Sequence, residues 1–449
     1  LFFRQMPWNM TKNLVYYSIV DSFLETSYSW QINGEDISSE LTCILPTTEL
    51  GEYLVRFATH NEDGDDEVTF KVEVCSPDQV DFSWTFLQTE YNMSVGRTIR
   101  IRPVDVNNAL DAVYTWTVDN EQVQSGENDT YLFTSEQQGE HTVKVEMRNS
   151  YILATQTLKI NVCSPAGTYQ RKISATSSAS MNKVYEYLPA PGQFINENHT
   201  TTTMAEACTY AEDRINQTAY VSLGGFGGYI IVGFDHSIVN DGDYNIAITG
   251  NAFDGSSEPG IVWVMQDENG DGLPNDTWYE LRGSEYGKAE TWQDYAVTYH
   301  KPTGIQLPTP WTDNHGQSGS IDYLGAFHRQ DYYYPAWVKE KQYTLRGTRL
   351  KERNYDQSGN GTYWVNDSYE WGYADNFSAI DRLTDDDNYN AGPSDNHFKI
   401  SHAVTFDGKD ANLKYVDFIK VQVGVNSKSG WLGEISTEVF GIKDFNMLK

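Results

Sequence analysis

One module is written twice in the first half of this chain. Tyr28-Ser29-Trp30 matches Tyr114-Thr115-Trp116, and Gly51-Glu52-Tyr53-Leu54-Val55-Arg56-Phe57 matches Gly139-Glu140-His141-Thr142-Val143-Lys144-Val145. Lys71-Val72-Glu73-Val74-Cys75-Ser76-Pro77 matches Lys159-Ile160-Asn161-Val162-Cys163-Ser164-Pro165, and Trp8-Asn9-Met10-Thr11 corresponds to Tyr91-Asn92-Met93-Ser94. The offsets stay between 83 and 88 residues, which bounds two copies at 1–76 and 77–164. Self-similarity at a steady offset means one structural unit used repeatedly. Each copy alternates short β runs with turns and carries a Trp on an early strand, the pattern of a small immunoglobulin-like β-sandwich.

This order of Trp, Gly-aromatic-Val and closing Val-x-Val resembles the PKD-like modules of bacterial surface proteins. The resemblance implies a fold and no ligand, and such modules are expected to act as stalks, because function resides in sites grafted on folds. Cys75 and Cys163 fall at equivalent strand ends and are expected to be small buried residues. Cys43 has no counterpart, since Tyr131 stands there in the second copy, so a bridge within the first copy stays open. Four cysteines without a CxxC pair give neither a zinc site nor a disulfide scaffold.

Residues 165–190 are rich in Ser, Ala and Pro and read as a linker. The remainder, 191–449, shares no motif with the repeats. Its strands are predicted at Tyr229–Phe234, Tyr244–Thr249, Ile261–Met265, Gln293–His300, Gln342–Arg349, Val416–Val425 and Thr437–Ile442. One short helix is predicted over Thr203–Asn216, with Thr203 as cap and Glu206 completing a capping box. Gly224, Gly225, Gly227 and Gly228 precede the first strand, where φ > 0 or close backbone approach is allowed. Aromatics make up 14% of the chain and helix-like periodicity is scarce, so the fold class is all-β. Two immunoglobulin/PKD-like sandwiches are followed by a larger jelly-roll-like β-sandwich domain.

The segment from Asp267 to Asp276 is the most chemically specific. Asp267, Asn269 and Asp271 stand at positions 1, 3 and 5 of a loop with Gly272 at 6, and the Leu273 carbonyl at 7. Calcium takes six to eight hard oxygens, and this spacing wraps them round an ion. Asn275 or Asp276 supplies the next ligand, while position 12 is Trp278 rather than a bidentate Glu. The expectation is structural Ca2+ on Asp267, Asn269, Asp271, Leu273 and Asp276, against an ordinary acidic turn. The run Asp385-Asp386-Asp387-Asn388 reads as a solvated loop.

Residues 301–375 concentrate aromatic side chains among Gly, Asn and Asp. Tyr332, Tyr333, Tyr334, Trp337, Trp364, Tyr369 and Trp371 are the candidate ligand-binding residues, because rigid amphipathic rings on loops suit sugars or planar ligands. No GxSxG, HExxH, P-loop or dinucleotide fingerprint is present, which argues for a binding protein rather than an enzyme. Carboxylates are too numerous for a glycosidase pair to be picked or excluded. The net charge of −31 makes nucleic acid an improbable partner.

Three segments carry a wider resemblance: SLGGFGGYIIVGFD (222–235), ITGNAFDGSSEPGIVWVMQDENGDG (248–272) and VDFIKVQVGVN with GWLGEISTEVFGI (416–442). They resemble a family of Bacteroidetes cell-surface lipoproteins with PKD-like repeats and a C-terminal jelly-roll-like domain, similar to the cobalamin-binding BtuH proteins. That resemblance implies a lipid-anchored outer-membrane protein capturing a corrinoid (vitamin B12) beside a transporter. A glycan-binding role in polysaccharide uptake is the alternative, and a carbohydrate-active hydrolase the second. The chain opens without an initiator Met, as expected of a trimmed segment whose signal and anchor lie elsewhere.

Overall fold

The computed structural model describes residues 14–17, 26–40, 42–45, 49–62, 64–76, 79, 82–199, 201–383 and 393–449. Among them the chain is all-β apart from one α-helix, Met204–Asn216, and a few single 3-10 turns. The acidic run at 385–388 lies outside the described residues.

In the first module, strands Glu35–Ser38, Ser27–Ile32, Gly51–Asn61 and Gly64–Val74 form an antiparallel sheet in that order. Trp30 lies opposite Phe57 across the central pair, fully buried, with ring centroids 4.3 Å apart. In the second module the sheet order is Glu121–Gly126, Val113–Val118, Gly139–Arg148, Leu153–Cys163 and Glu90–Ser94, the last pairing parallel. Trp116 lies opposite Val145, the residue the repeat aligns with Phe57, and is equally buried. The repeat therefore preserves strand register as well as composition. One slipped residue would turn each Trp to solvent. All four cysteines are free, Cys43 buried among the first module's core residues. Cys75 and Cys163 are half-buried rather than enclosed.

The C-terminal domain is a jelly-roll-like β-sandwich. Its largest sheet runs Lys183–Leu188, Tyr229–Val239, Tyr415–Val423, Gly260–Met265, Trp278–Leu281 and Ala403–Val404. A three-stranded sheet (Ser394–Phe398, Ile246–Gly250, Gly441–Asp444) and a four-stranded one (Ser318–Ile321, Thr309–Asp313, Trp292–His300, Gln342–Arg349) share one core with it. Ile248, Val264, Ile419, Val297 and Leu345 meet there. The central strand Tyr415–Val423 is buried along nearly all its length, including Asp417 and Gln422, although Ile419, Val421 and Val423 alternate with Lys420 and Gln422 as in a strand with one apolar face.

Two expectations need correction. Residues 165–190 are not a free linker, because Lys183–Leu188 is the edge strand of the large sheet and buries Val184 and Tyr187. Arg171 upstream of it bonds the buried Asp417 carboxylate at 3.0 Å. Ser- and Ala-rich composition hid a strand whose two core side chains stand three apart across a register shift between Val184 and Glu186. The capping box is also shifted. Thr203 Oγ1 accepts the Glu206 N–H at 3.2 Å, but the Glu206 carboxylate accepts from Thr202 N at 2.7 Å, one residue early. Several strand bounds move as well, and the expected Thr437–Ile442 divides into Glu438–Val439 and Gly441–Asp444. Among the described residues no helix is long and apolar enough to cross a membrane.

Candidate ligand-binding cleft

The hairpin Thr309–Asp313 and Ser318–Ile321 stands beside the segment that leaves the central strand, residues 426–434. Trp311 lies directly across from Gly319, whose missing side chain leaves the indole room; a Cβ there would sit 2.6 Å from it. Between hairpin and segment is a cleft of about 220 Å³ lined by Trp311, Ser320, Asp322, Asn426, Lys428 and Glu434. Its far wall is a tight turn. Ser429 N–H donates to Gly433 O at 2.8 Å, and Gly430 adopts φ +54° with Trp364 stacked where a side chain would be. That turn carries Trp431, half exposed at 50%, with Phe327 beside it at 66% and ring centroids 6.3 Å apart. Exposed neighbouring aromatics on a rigid turn form a contact platform.

The polar groups of the cleft are fixed from behind. Asn426 Nδ2 donates to Tyr295 Oη at 2.9 Å, and that hydroxyl donates to Asp313 at 2.7 Å. Ser427 Oγ donates to Asn354 Oδ1 at 2.9 Å, and Lys428 Nζ pairs with Asp322 at 2.6 Å. Glu434 is the exception. Only 5% exposed, it accepts Gln193 N–H on Oε1 at 2.7 Å, while Oε2 has no partner. Burial pushes its carboxyl up to about 8, with Asp322 adding to the rise. At neutral pH it is a neutral acid with an unused O–H donor, and buried polar atoms left without partners are uncommon.

A wider hollow of about 510 Å³ runs along Ser27, Arg56, His60, Asp65 and Glu67 of the first module. There Arg56 pairs with Glu67, and His60 Nδ1 lies against the Asp65 carboxylate.

Most of the expected aromatic site is core. Tyr333 and Tyr334 are 2% and 1% exposed, and their hydroxyls donate to His328 O and Glu340 O, both at 3.0 Å. Trp337 is buried against Tyr187, and Tyr369 is buried with its hydroxyl on Lys351 O at 2.5 Å. Tyr332 is half-buried under the Lys301 ammonium and Trp371 packs on His402. Trp364 alone reaches the cleft's edge, through Gly430. The loop's own bulk needed filling, so its rings turned inward. Sequence reasoning missed Glu434, Asn426, Lys428 and Trp431; an exposed Trp within Ser429-Gly430-Trp431-Leu432-Gly433 was the available signal.

The Asp267–Asp276 loop closes mainly on its own backbone. Asp267 accepts Gly270 N–H at 2.7 Å and Gly272 N–H at 3.0 Å, and Asp271 accepts Leu273 N–H at 2.8 Å. Asn269 Oδ1 accepts Asp271 N–H at 2.9 Å, and Leu273 O accepts Asn275 N–H at 2.9 Å. Asp276 Oδ2 accepts Glu268 N–H at 3.1 Å, and burial pushes its carboxyl up to about 8. Asp267, Asp271 and Asp276 do not form a mutually close set. Among the described residues, the group of three acidic, His or Cys side chains whose ligand atoms all lie within 4.8 Å is Glu258, Asp375 and Glu438.

No curated protein matches this chain. Among solved structures it is similar to the fibronectin(III)-like modules of Clostridium thermocellum CbhA, at 16% identity over 36% of this chain and 91% of that one, TM-score 0.18. It is also similar to the chicken CNTN1 FN1–FN3 domains, at 9% identity over 77% of this chain and 86% of that one, TM-score 0.17. Likenesses this distant carry nothing about function. Residues 86–149 match the family described as PKD-like domain, so the second module is a PKD-like domain.

Proposed function

We propose that this chain is a non-catalytic, surface-displayed binding protein whose C-terminal domain takes a ring of a neutral glycan in the Trp311–Glu434 cleft. The observation that carries it is Glu434, a buried carboxyl with one oxygen unpartnered in a cleft otherwise built of Asn, Ser and an ion pair. A protonated carboxyl offers a donor to a hydroxyl without bringing charge. Trp431 and Phe327 supply a platform outside the opening for the next ring. At about 220 Å³ the cleft lies below the roughly 300–1,000 Å³ that engulfs a drug-sized ligand. It suits one ring or arm of a larger molecule, which favours a glycan over the corrinoid that the family resemblance implies.

A second reading, a glycoside hydrolase, has one observation in its favour: a carboxyl raised to about 8 has the character of a general acid. Against it, Asp322 is tied to Lys428 and no second free carboxylate faces Glu434 among the residues that line the cleft.

Calorimetric titration of the full chain with a panel of neutral oligosaccharides and with cyanocobalamin tests the reading. Saturable glycan binding, weakened at least tenfold in Trp431→Ala, is the expected result. Cyanocobalamin binding without glycan binding restores the corrinoid reading, and release of nitrophenol from a chromogenic glycoside, lost in Glu434→Gln, establishes the hydrolase.

A further inference from the structure

We propose that Glu258, Asp375 and Glu438 form a divalent-cation site that binds Ca2+, separate from the cleft and from the Asp267 loop. The three residues come from distant parts of the chain: the approach to strand Gly260–Met265, the loop at 374–376, and strand Glu438–Val439. The topology gathers them. Ala374 bridges Gly260, Glu258 N–H donates to Asp375 O at 2.9 Å, and Thr437 Oγ1 donates to Glu258 O at 2.9 Å.

Two of the three carboxylates are aimed by backbone donors. Asp375 Oδ1 accepts the N–H groups of Asn251 and Ala252, both at 2.8 Å, and its Oδ2 accepts Glu438 N–H at 2.9 Å. Glu258 Oε1 accepts Ser436 N–H at 3.2 Å. Gly250 makes room, since a Cβ there would lie 2.5 Å from Asp375 Oδ1. Asp375 itself holds φ +53°, in the left-handed region that Asp and Asn enter more readily than other side-chained residues.

The independent observation is at Glu438. The residue is 4% exposed, and its Oε1 meets no donor group, with the Glu258 carboxyl as its acidic neighbour. No cationic side chain pairs with any of the three among the described residues, and the remaining charged neighbour, Glu434, is acidic too. A buried charge needs a partner. Three converging carboxylate oxygens within 4.8 Å of one another are the hard donors that calcium takes. A smaller ion demanding near-ideal octahedral geometry fits three carboxylates fixed by the fold less well.

The test uses the full chain, stripped with chelator and dialysed, and Ca2+ alone as the probe. Bound calcium is counted by equilibrium dialysis and the melting temperature is followed with and without Ca2+. Glu438→Gln and Glu258→Gln should each lose one bound equivalent, together with the rise in melting temperature that calcium produces in the parent. Asp271→Ala, which alters only the Asp267 loop, should keep both. Should the glutamine variants fail to fold, anomalous scattering from Tb3+-soaked crystals of the parent should place a peak between the three carboxyl groups. Absence of binding at millimolar Ca2+, or binding abolished by Asp271→Ala and untouched by the glutamine variants, overturns the assignment. Shared protons would then hold the cluster together. The outcome is independent of glycan binding in the cleft.

Discussion

The backbone N–H of Ser94 donates to Oε2 of Glu268 at 2.8 Å, so the second module hands its edge strand to a buried carboxylate of the C-terminal domain. Asn92 Nδ2 donates to Asn275 O and Oδ1, both at 3.2 Å, and Arg97 donates to Ala411 O at 2.6 Å with its guanidinium 3.8 Å from Glu268. The Asp267–Asp276 loop is therefore a joint between domains. Glu268→Ala removes the acceptor of a buried N–H and the carboxylate beside Arg97, which keeps its bond to Ala411 O, a loss of roughly 1–3 kcal/mol. Hydrogen exchange should accelerate at the Ser94 amide and leave the Trp116 strand protected. Unchanged protection at Ser94 would show that the joint does not depend on this bond.

A stability maximum on the acid side is expected from the buried carboxyls. Burial raises Glu434 from 4.5 to about 8 and Glu280 from 4.5 to about 7, the latter despite a 2.5 Å hydrogen bond from Thr348. Each folded value lies above its unfolded one, so the folded state binds more protons between the two. Each contribution is complete below the unfolded value and is lost as pH rises through about 7 and about 8. The calcium-free melting temperature should fall from about pH 5 to about pH 8.5. Glu434→Gln should flatten the upper part of that fall, and a parent profile that rises with pH would contradict the assignment.

What was legible in the chain followed from local periodicity. Trp30 and Trp116 announced two equivalent sandwiches, and the alternation of Ile419, Val421 and Val423 announced a strand with one apolar face, which the structure buries on both. The cleft was not legible because its lining comes from 311–322 and 426–434, two segments that only the sandwich topology brings together. Asp375 and Glu438 are likewise distant in sequence, with no spacing to betray them. Ring count misled for a physical reason. Tyr333 and Tyr334 have polar tips as binding residues do, yet those tips satisfy buried carbonyls.

That distinction is measurable. Tyr334→Ala excavates a packed core and should cost about 3–5 kcal/mol, whatever the ligand. Trp431→Ala removes a ring already half in solvent and should stay within about 0.5 kcal/mol of the parent. Calorimetric unfolding of the C-terminal transition separates them. Equal losses in the two variants would place Trp431 in the fold rather than on the ligand.

Gly228, with Gly224, should be the least replaceable of the four glycines ahead of strand Tyr229–Val239. A Cβ at Gly228 would lie 1.8 Å from Leu223 O and 2.4 Å from Ala190 N, which are themselves hydrogen-bonded at 3.0 Å. Its own carbonyl accepts Val423 N–H at 3.0 Å, so the backbone cannot retreat without breaking a link to the central strand. Gly233 offers the comparison. Its Cβ would approach Tyr185 Cε2 at 2.7 Å, and that half-buried ring can yield at the cost of its hydroxyl bond to Gly272 O, 3.1 Å long. Gly228→Ala is expected to cost more than about 3 kcal/mol and Gly233→Ala about 1–2 kcal/mol, the difference between moving a backbone and moving a side chain. Both are read from the C-terminal unfolding transition. A Gly228→Ala variant that melts with the parent would mean that the crossing of these two segments is looser than the hydrogen bonds imply.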